Sequence, residues 1–178
     1  PTSIVVAKDG TTFVTEVGGR SRISSISADG RLTTLAGNAA AGFVDGRGAA
    51  ARFSKPVGIA EGPDGLYVAD LVNHSIRRID RQGNVTTIAG GGPMGAGHID
   101  GELAVARFNR PSRVAVASDG TIYVGESAGK CVRVIHEGVV TTLHRCRGEV
   151  SDLLLDEPNG VLYAAFDHGL LTITVPTP

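Results

Sequence analysis

Aromatic residues are scarce in this sequence of 178 residues: they make up 4% of it, and tryptophan is absent. The two cysteines are too few for a disulfide-stabilised scaffold. No apolar run approaches the roughly 18 residues of a transmembrane helix, so the sequence predicts no membrane partner. No amino-terminal stretch combines the basic and apolar regions of a signal peptide, and the localisation stays open.

Glycine, in contrast, is abundant. The sequence has 25 glycines, about twice the average usage. Its charges nearly cancel, with 17 Lys and Arg against 18 Asp and Glu, and 42% of its residues are hydrophobic. Such a chain is too apolar and too neutral to be disordered. The composition predicts short strands joined by tight turns.

The sequence repeats itself with a period of 55 residues. Segments that begin with proline and end with Asp-Gly run from Pro1, from Pro56 and from Pro111. Each is followed by an apolar run that ends near an acid, a second apolar run, a glycine turn and a run containing Thr-Thr. A weaker fourth copy begins near Ser151 and lacks the last of these runs. Each full unit therefore reads as four short strands in a meander.

A four-stranded sheet with two apolar faces cannot bury both alone, so neighbouring units must stack. Radial stacking of such sheets produces a β-propeller. The sequence predicts an all-β fold, a β-propeller of four-stranded antiparallel blades with three full blades and a partial fourth. We place the blades in one region, 1–178, at about 1–37, 56–90, 111–144 and, for the partial blade, 151–175, with inter-blade loops at 38–55 and 91–110.

The two inter-blade loops share a Gly-x-x-Asp-Gly motif followed by Ala-Arg-Phe. We expect Asp45 and Asp100 to cap a short helical turn, because a carboxylate accepts hydrogen bonds from exposed N–H groups. Phe53 and Phe108 lie three residues before the prolines that open the blades. A large rigid ring fills much volume, so we expect both rings to plug the space between blades.

The segment from Leu66 to Ile79, with Asn73-His74 after Asp70, resembles the signature of the NHL-repeat family. The Thr-Thr-Ile-Ala-Gly, Ala-Arg-Phe and Asp-Gly elements around it resemble long-loop NHL repeats as well. The resemblance implies a propeller that is commonly six-bladed and acts mostly as a platform for protein or RNA ligands. A minority of related propellers are enzymes, including peptide-amidating lyases and lactone hydrolases.

At this period, 178 residues are too few for a six-bladed ring. We therefore expect a fragment of a larger ring; the alternative is that copies of the chain associate to complete one. An open arc exposes two apolar blade faces and unpaired strand edges, which favour self-association.

Acid–arginine pairs recur seven residues apart, Asp70 with Arg77 and Glu126 with Arg133. We expect structural ion pairs, because an arginine fork suits a carboxylate across a hairpin, and we favour this reading over a ligand site. In the first copy Glu16 meets Ser24 instead, and we expect Arg20 and Arg22 in the connecting turn. A propeller gathers equivalent turns on one face, which predicts a binding face made from Arg20, Arg22, Asp70, Asn73, His74, Arg77, Glu126 and Arg133.

Metal binding has weak support in the sequence. Zinc needs three or four converging ligands, and the closest pairs are His98 with Asp100 and His136 with Glu137, while the cysteines lie elsewhere. Cys131 and Cys146 can form a disulfide only if their hairpin bulges. We expect no metal and no cofactor, and we read the five histidines as loop and turn residues: His74, His98, His136, His144 and His168.

The sequence contains no nucleophile elbow, phosphate loop or carboxylate pair at catalytic spacing. The predicted function is therefore a non-enzymatic scaffold that binds a protein partner. An RNA-binding propeller is the alternative, although no segment is strongly basic and stacking aromatics are scarce. A second alternative is a metal-dependent lyase or a lactonase-like hydrolase with its site in the central channel.

Overall fold

Four antiparallel sheets stack side by side in this chain as the blades of a β-propeller, which confirms the predicted fold class. The computed structural model describes residues 1–92, 95–167 and 169–176. Within these ranges, no helix is long and apolar enough to span a membrane. The inter-blade loop predicted at 91–110 is described except for residues 93 and 94, and His168 also lies outside the described residues.

Blade 1 is a four-stranded meander in which each strand pairs with the next along the chain. Its turns contain glycines with positive φ, such as Gly10 and Gly30, which lack the Cβ that disfavours this conformation. Its strands are β1 (Ser3–Val6), β2 (Thr12–Glu16), β3 (Ser21–Ile26) and β4 (Leu32–Asn38).

Blades 2 and 3 contain five strands rather than the predicted four, because the preceding inter-blade loop adds a two-residue strand at the outer edge. Blade 2 consists of β5 (Gly46–Arg47), β6 (Pro56–Gly62), β7 (Gly65–Asp70), β8 (Ser75–Ile79) and β9 (Asn84–Gly90). Blade 3 consists of β10 (Gly101–Glu102), β11 (Pro111–Val116), β12 (Ile122–Glu126), β13 (Cys131–His136) and β14 (Val139–Arg145).

Blade 4 has three strands in the described residues, as its missing Thr-Thr run predicts. They are β15 (Val150–Asp156), β16 (Val161–Phe166) and β17 (Gly169–Thr174). A 3₁₀ turn at Glu157–Asn159 joins the first two.

The predicted capping by the inter-blade aspartates is wrong. A 3₁₀ turn does form at Gly48–Ala50, but no side chain caps it. Asp45 instead accepts hydrogen bonds from Arg77 and from the backbone N–H and hydroxyl of Thr87. Asp100 makes the equivalent contacts with Arg133 and Thr142. Both carboxylates thus fasten the loop to the blade, because charged arginine partners form stronger hydrogen bonds than neutral ones.

The hydrophobic core is divided into three clusters, one for each interface between neighbouring blades. Phe53 lies fully buried between blades 1 and 2, and Phe108 lies fully buried between blades 2 and 3, as predicted. At Gly37 the backbone lies close to the Phe53 ring, and the absence of a Cβ makes this approach possible. A Cβ there would approach the Phe53 ring to 2.8 Å and the Ser21 carbonyl oxygen to 2.6 Å.

Both ends of the blade array present apolar side chains to solvent. Ile4 and Val6 of β1 are 63% and 64% exposed. At the other end, Leu154 and Leu170 are 65% and 64% exposed and line a shallow groove with Tyr163. These side chains have no neighbouring blade to cover them among the described residues.

Candidate functional site

The acid–arginine pair of blade 2 lies where β7 ends and β8 begins. The Arg77 Nη1 donates to Asp70 Oδ2 at 2.9 Å, and both side chains are fully buried. Asp70 also accepts hydrogen bonds from the Asn73 side-chain amide at 2.6 Å and from the Ser54 backbone N–H at 2.7 Å. The acid therefore has partners on both of its oxygens, and the predicted ion pair is present.

The remaining donors of Arg77 bind the inter-blade loop that precedes the blade. Nη1 donates to the Arg52 carbonyl at 3.1 Å, while Nη2 donates to the Val44 carbonyl at 3.0 Å and to Asp45 Oδ1 at 2.6 Å. The guanidinium carbon lies 4.9 Å from the Phe43 ring centroid, a distance typical of a cation–π contact. Through these contacts the buried Arg77 joins the inter-blade loop and its Phe43 ring to the hairpin of β7 and β8.

Blade 3 repeats this arrangement. The Arg133 Nη1 donates to Glu126 Oε1 at 2.7 Å, and both side chains are fully buried. Arg133 also donates to the carbonyls of Arg107 and Ile99, and its guanidinium carbon lies 5.2 Å from the centroid of Phe108. The two clusters are equivalent in position, and the two arginines make equivalent hydrogen bonds.

Burial dominates the electrostatics of both acids. It raises the pKa of Asp70 to about 6, although hydrogen bonds from Asn73, Ser54 and Arg77 oppose the shift. It also raises the pKa of Glu126, against the Asn109 N–H and the charge of Arg133. Removing one partner of such a pair leaves a buried charge uncompensated, at a cost of about 3–5 kcal/mol. These contacts give both pairs a structural role.

Blade 1 has a more open version of the cluster. Glu16 accepts hydrogen bonds from the Arg22 Nε at 2.8 Å, from the Arg20 Nη1 at 3.4 Å and from the Ser24 hydroxyl at 2.5 Å. The hydrogen bond from Arg22 is the main cause that lowers the pKa of Glu16 to about 2. Arg22 lies in β3 and pairs directly across from Glu16; its prediction in the connecting turn is wrong, since β3 begins at Ser21.

The predicted binding-face residues divide into two groups by exposure. Asp70, Asn73, Arg77, Glu126 and Arg133 are fully buried, so their side chains offer no surface to a macromolecule. Arg20 is exposed, and Arg22 and His74 are half-buried. All eight residues lie at the same end of the strands, where the second strand of a blade turns into the third.

Blade 3 also brings together three side chains that no sequence motif links. The Cys131 Sγ lies 3.6 Å from His98 Nδ1, which lies 3.8 Å from Glu126 Oε2. Burial raises the pKa of the Cys131 thiol to about 12 and lowers the pKa of His98. His98 lies 33 residues from Cys131 in the chain, so no local spacing signals the cluster. The pairing of His98 in a loop with the first residue of β13 emerges only from the fold.

Both cysteines are free thiols. The hairpin does bulge, between Val132 and Arg133, and its register pairs Cys131 with Arg145. Cys146 lies next along the chain and donates its backbone N–H to the Lys130 carbonyl.

Two clefts lie at the other end of the strands. One, of about 360 Å³, lies between blades 1 and 2 and is lined by residues including Lys8, Phe13 and Glu61. The other, of about 320 Å³, lies between blades 3 and 4 beside Tyr123 and His136. Both follow the blade interfaces.

The family model of the NHL repeat matches residues 108–135, which include β11, β12 and the Glu126–Arg133 cluster. NHL repeat-containing protein 2 of Gallus gallus is 38% identical over 96 residues, which cover 53% of this chain and 13% of that protein. The chain belongs to the NHL-repeat β-propellers.

Two further comparisons place this NHL propeller among its relatives. Virginiamycin B lyase of Nocardia farcinica is 32% identical over 123 residues, covering 68% of this chain and 34% of the lyase. A structural genomics protein of unknown function from Bacteroides thetaiotaomicron superposes with a TM-score of 0.65 at 28% identity, covering 71% of this chain and 32% of that one. The NHL propeller described here thus spans about a third or less of the length of these relatives.

Proposed function

We propose that this NHL propeller is a non-enzymatic scaffold whose basic surface binds an acidic segment of a protein partner. The surface, called here the basic rim, consists of the exposed side chains Arg20, Lys55, Arg110 and Lys130. Lys55 and Arg110 immediately precede β6 and β11, and Lys130 precedes β13. Register places all four at the strand ends that carry the acid–arginine clusters.

Backbone conformation is the observation that carries the proposal. Lys55, Arg110 and Lys130 have φ values of 57°, 56° and 50°, and half-buried His74 has 52°. Left-handed backbone is uncommon outside glycine and costs about 1–2 kcal/mol for other residues. At the other strand ends glycine serves this purpose in most turns, and the non-glycine exception there among the described residues is Glu137, with a φ of 46°. Cations therefore occupy positions where glycine would be less strained, and such strain concentrates at functional sites.

The buried ion pairs support the same proposal. They hold the acids and arginines of blades 2 and 3 in structural contacts, and they fix the loops on which the rim cations stand. A surface with a fixed backbone loses little conformational entropy when a partner binds. Blade 4 contributes the exposed acids Glu149 and Asp167 at this end, next to the exposed Arg147 in the segment before it.

The test compares charge reversal at the two ends of the strands. Fluorescence anisotropy follows the binding of a labelled poly-glutamate peptide and of a single-stranded RNA of the same length at two salt concentrations. For the Lys55→Glu, Arg110→Glu, Lys130→Glu triple variant we expect at least about a tenfold loss of peptide affinity. The control reverses three exposed cations at the other end, Lys8→Glu, Arg31→Glu and Arg81→Glu, and should lose less than about twofold.

Equal losses in the two triple variants would contradict the proposal, because binding would then follow net charge and not the rim. Tighter binding of RNA than of peptide by the unmodified chain would replace it with the RNA-binding alternative.

A further inference from the structure

The cluster of blade 3 differs from that of blade 2 at three equivalent positions. Two of the differences introduce a thiol and an imidazole, and the third lengthens the carboxylate. Asp70 and Ser75 pair across the turn in blade 2, and Glu126 and Cys131 pair at the same place in blade 3. In the inter-blade loops, Phe43 precedes the bridge residue Val44, and His98 precedes its counterpart Ile99.

A fourth difference makes room for the cluster. In blade 2 the Asn73 amide binds the acid and the Gly42 carbonyl. Its counterpart in blade 3 is Gly129, and a Cβ there would collide with the Glu126 carboxylate. The longer Glu126 side chain thus occupies the space that Asn73 fills in blade 2, and its Oε2 faces the His98 ring.

We propose that His98, Glu126 and Cys131 form a binding site for Zn²⁺, with water in the fourth position. The candidate ligand atoms all lie within 4.8 Å of one another. Tetrahedral zinc with bonds of about 2.0–2.3 Å separates its ligand atoms by about 3.3–3.7 Å. The observed separations of 3.6 Å and 3.8 Å require only small side-chain movements.

Hydrogen bonds already orient the ligands. The second ring nitrogen of His98 lies 3.2 Å from the Thr142 hydroxyl, and a partner at that position fixes the ring of a metal-binding histidine. Glu126 keeps Oε1 on Arg133, and Oε2 accepts the Asn109 N–H at 3.0 Å with a lone pair still free. On binding, the ion would replace the contact between Cys131 Sγ and His98 Nδ1, while the hydrogen bonds to Arg133, Asn109 and Thr142 stay in place.

Local charge also permits a divalent ion despite the nearby arginine. Arg133 is paired with both Glu126 and Asp100, so the three side chains together carry one negative charge. On binding, the Cys131 thiol releases its proton to water and adds a second negative charge, which the ion neutralises. The His98 side chain is 25% exposed, which gives the ion a path from solvent to the buried sulfur and carboxylate.

The test measures metal content and spectra of the whole chain after chelation and reloading with Zn²⁺ or Co²⁺. We expect one tightly bound Zn²⁺ per chain, a rise in Tm with Zn²⁺ concentration, and a thiolate-to-Co²⁺ charge-transfer band. The variants His98→Phe and Cys131→Ser install the residues of blade 2, so we expect them to fold. Each should weaken Zn²⁺ binding at least about 100-fold, and neither should show the charge-transfer band.

Cys146→Ser is the matched control, because it removes the other thiol and should leave both the affinity and the band unchanged. Failure of the unmodified chain to bind Zn²⁺ at about 100 µM would overturn the proposal. Unchanged binding in both His98→Phe and Cys131→Ser would overturn it as well. Neither result bears on the basic rim, which uses different residues.

Discussion

Glu16 is the acid of the three clusters that remains most open to solvent, and its pKa is shifted in the opposite direction from those of Asp70 and Glu126. Arg22 and Arg20 stabilise its charged form, whereas burial opposes the charge of the other two acids. The difference follows from the partners, since Ser24 stands in blade 1 where arginines stand in blades 2 and 3. The same position in the repeat therefore has different electrostatics in each blade.

This lowered pKa predicts acid sensitivity. A carboxylate with a pKa of about 2 in the folded chain and 4.5 ordinarily stabilises the fold above pH 4.5, and this stabilisation is lost as the pH falls through 2. We expect Glu16→Gln to lower the free energy of unfolding by about 1–2 kcal/mol at pH 6, after allowance for solvent screening, and by almost nothing near pH 2. Urea unfolding across this range measures the difference.

The exposed turn residue Asp64 provides the control, since Asp64→Asn changes the net charge by the same amount. A constant difference between the unmodified chain and Glu16→Gln over the whole range would contradict the assignment.

Some of these residues are predictable from the sequence and others are not, for a physical reason. The ion pairs Asp70–Arg77 and Glu126–Arg133 lie within one hairpin, so their spacing carries the signal. Val44 and Asp45 also bind Arg77, and they come from a loop more than 30 residues earlier. His98, which contacts Cys131, likewise comes from an inter-blade loop more than 30 residues earlier. Contacts between loop and blade depend on how the chain returns to the sheet, which no local pattern specifies.

At the scale of the element, the blades are tied together by an aromatic ring placed against a buried arginine. Phe53 packs under Arg77 and Phe108 under Arg133, each ring with no exposed surface. The ring serves both the apolar interface and the guanidinium, so its loss affects two kinds of interaction.

We therefore expect Phe108→Ala to destabilise the chain by about 3–5 kcal/mol, the usual cost of removing a buried ring, and to expose Arg133. Phe13 is a suitable comparison because its ring is only partly buried beside the cluster between blades 1 and 2. Phe13→Ala should cost less, about 1–2 kcal/mol. If urea unfolding shows the same loss of stability for both substitutions, Phe108 contributes no more than a partly buried phenylalanine, and the prediction is wrong.

The repeat predicted most strands, because proline starts, Asp-Gly turns and Thr-Thr runs mark the first three blades. The outer strands β5 and β10 were missed since each has two residues, too short for a period-two pattern. The caps were assigned wrongly because Asp45 and Asp100 precede alanines in sequence but face arginines in space. In both cases tertiary pairing prevailed over local preference.

At the scale of the molecule, the two open ends of the array are apolar. We propose that copies of this chain associate through the face that bears Leu154 and Leu170, since about two-thirds of each side chain is exposed beside a groove.

Sedimentation velocity over a range of concentrations tests this proposal. We expect the unmodified chain to sediment faster as its concentration rises, and the Leu154→Glu, Leu170→Glu double variant to stay monomeric. Val105→Glu, which alters an exposed apolar residue of the inter-blade loop, should behave like the unmodified chain. A chain that is monomeric at every concentration would rule the proposal out.

The division of the core into three separate clusters governs how the molecule comes apart. Each blade exchanges apolar contact only with its neighbours, so stability accumulates along the array as in a one-dimensional Ising chain. Blades 2 and 3 have a partner on each side, whereas blades 1 and 4 have one among the described residues. For this stretch of chain we therefore expect blades 1 and 4 to open first and the arginine clusters of blades 2 and 3 to open last.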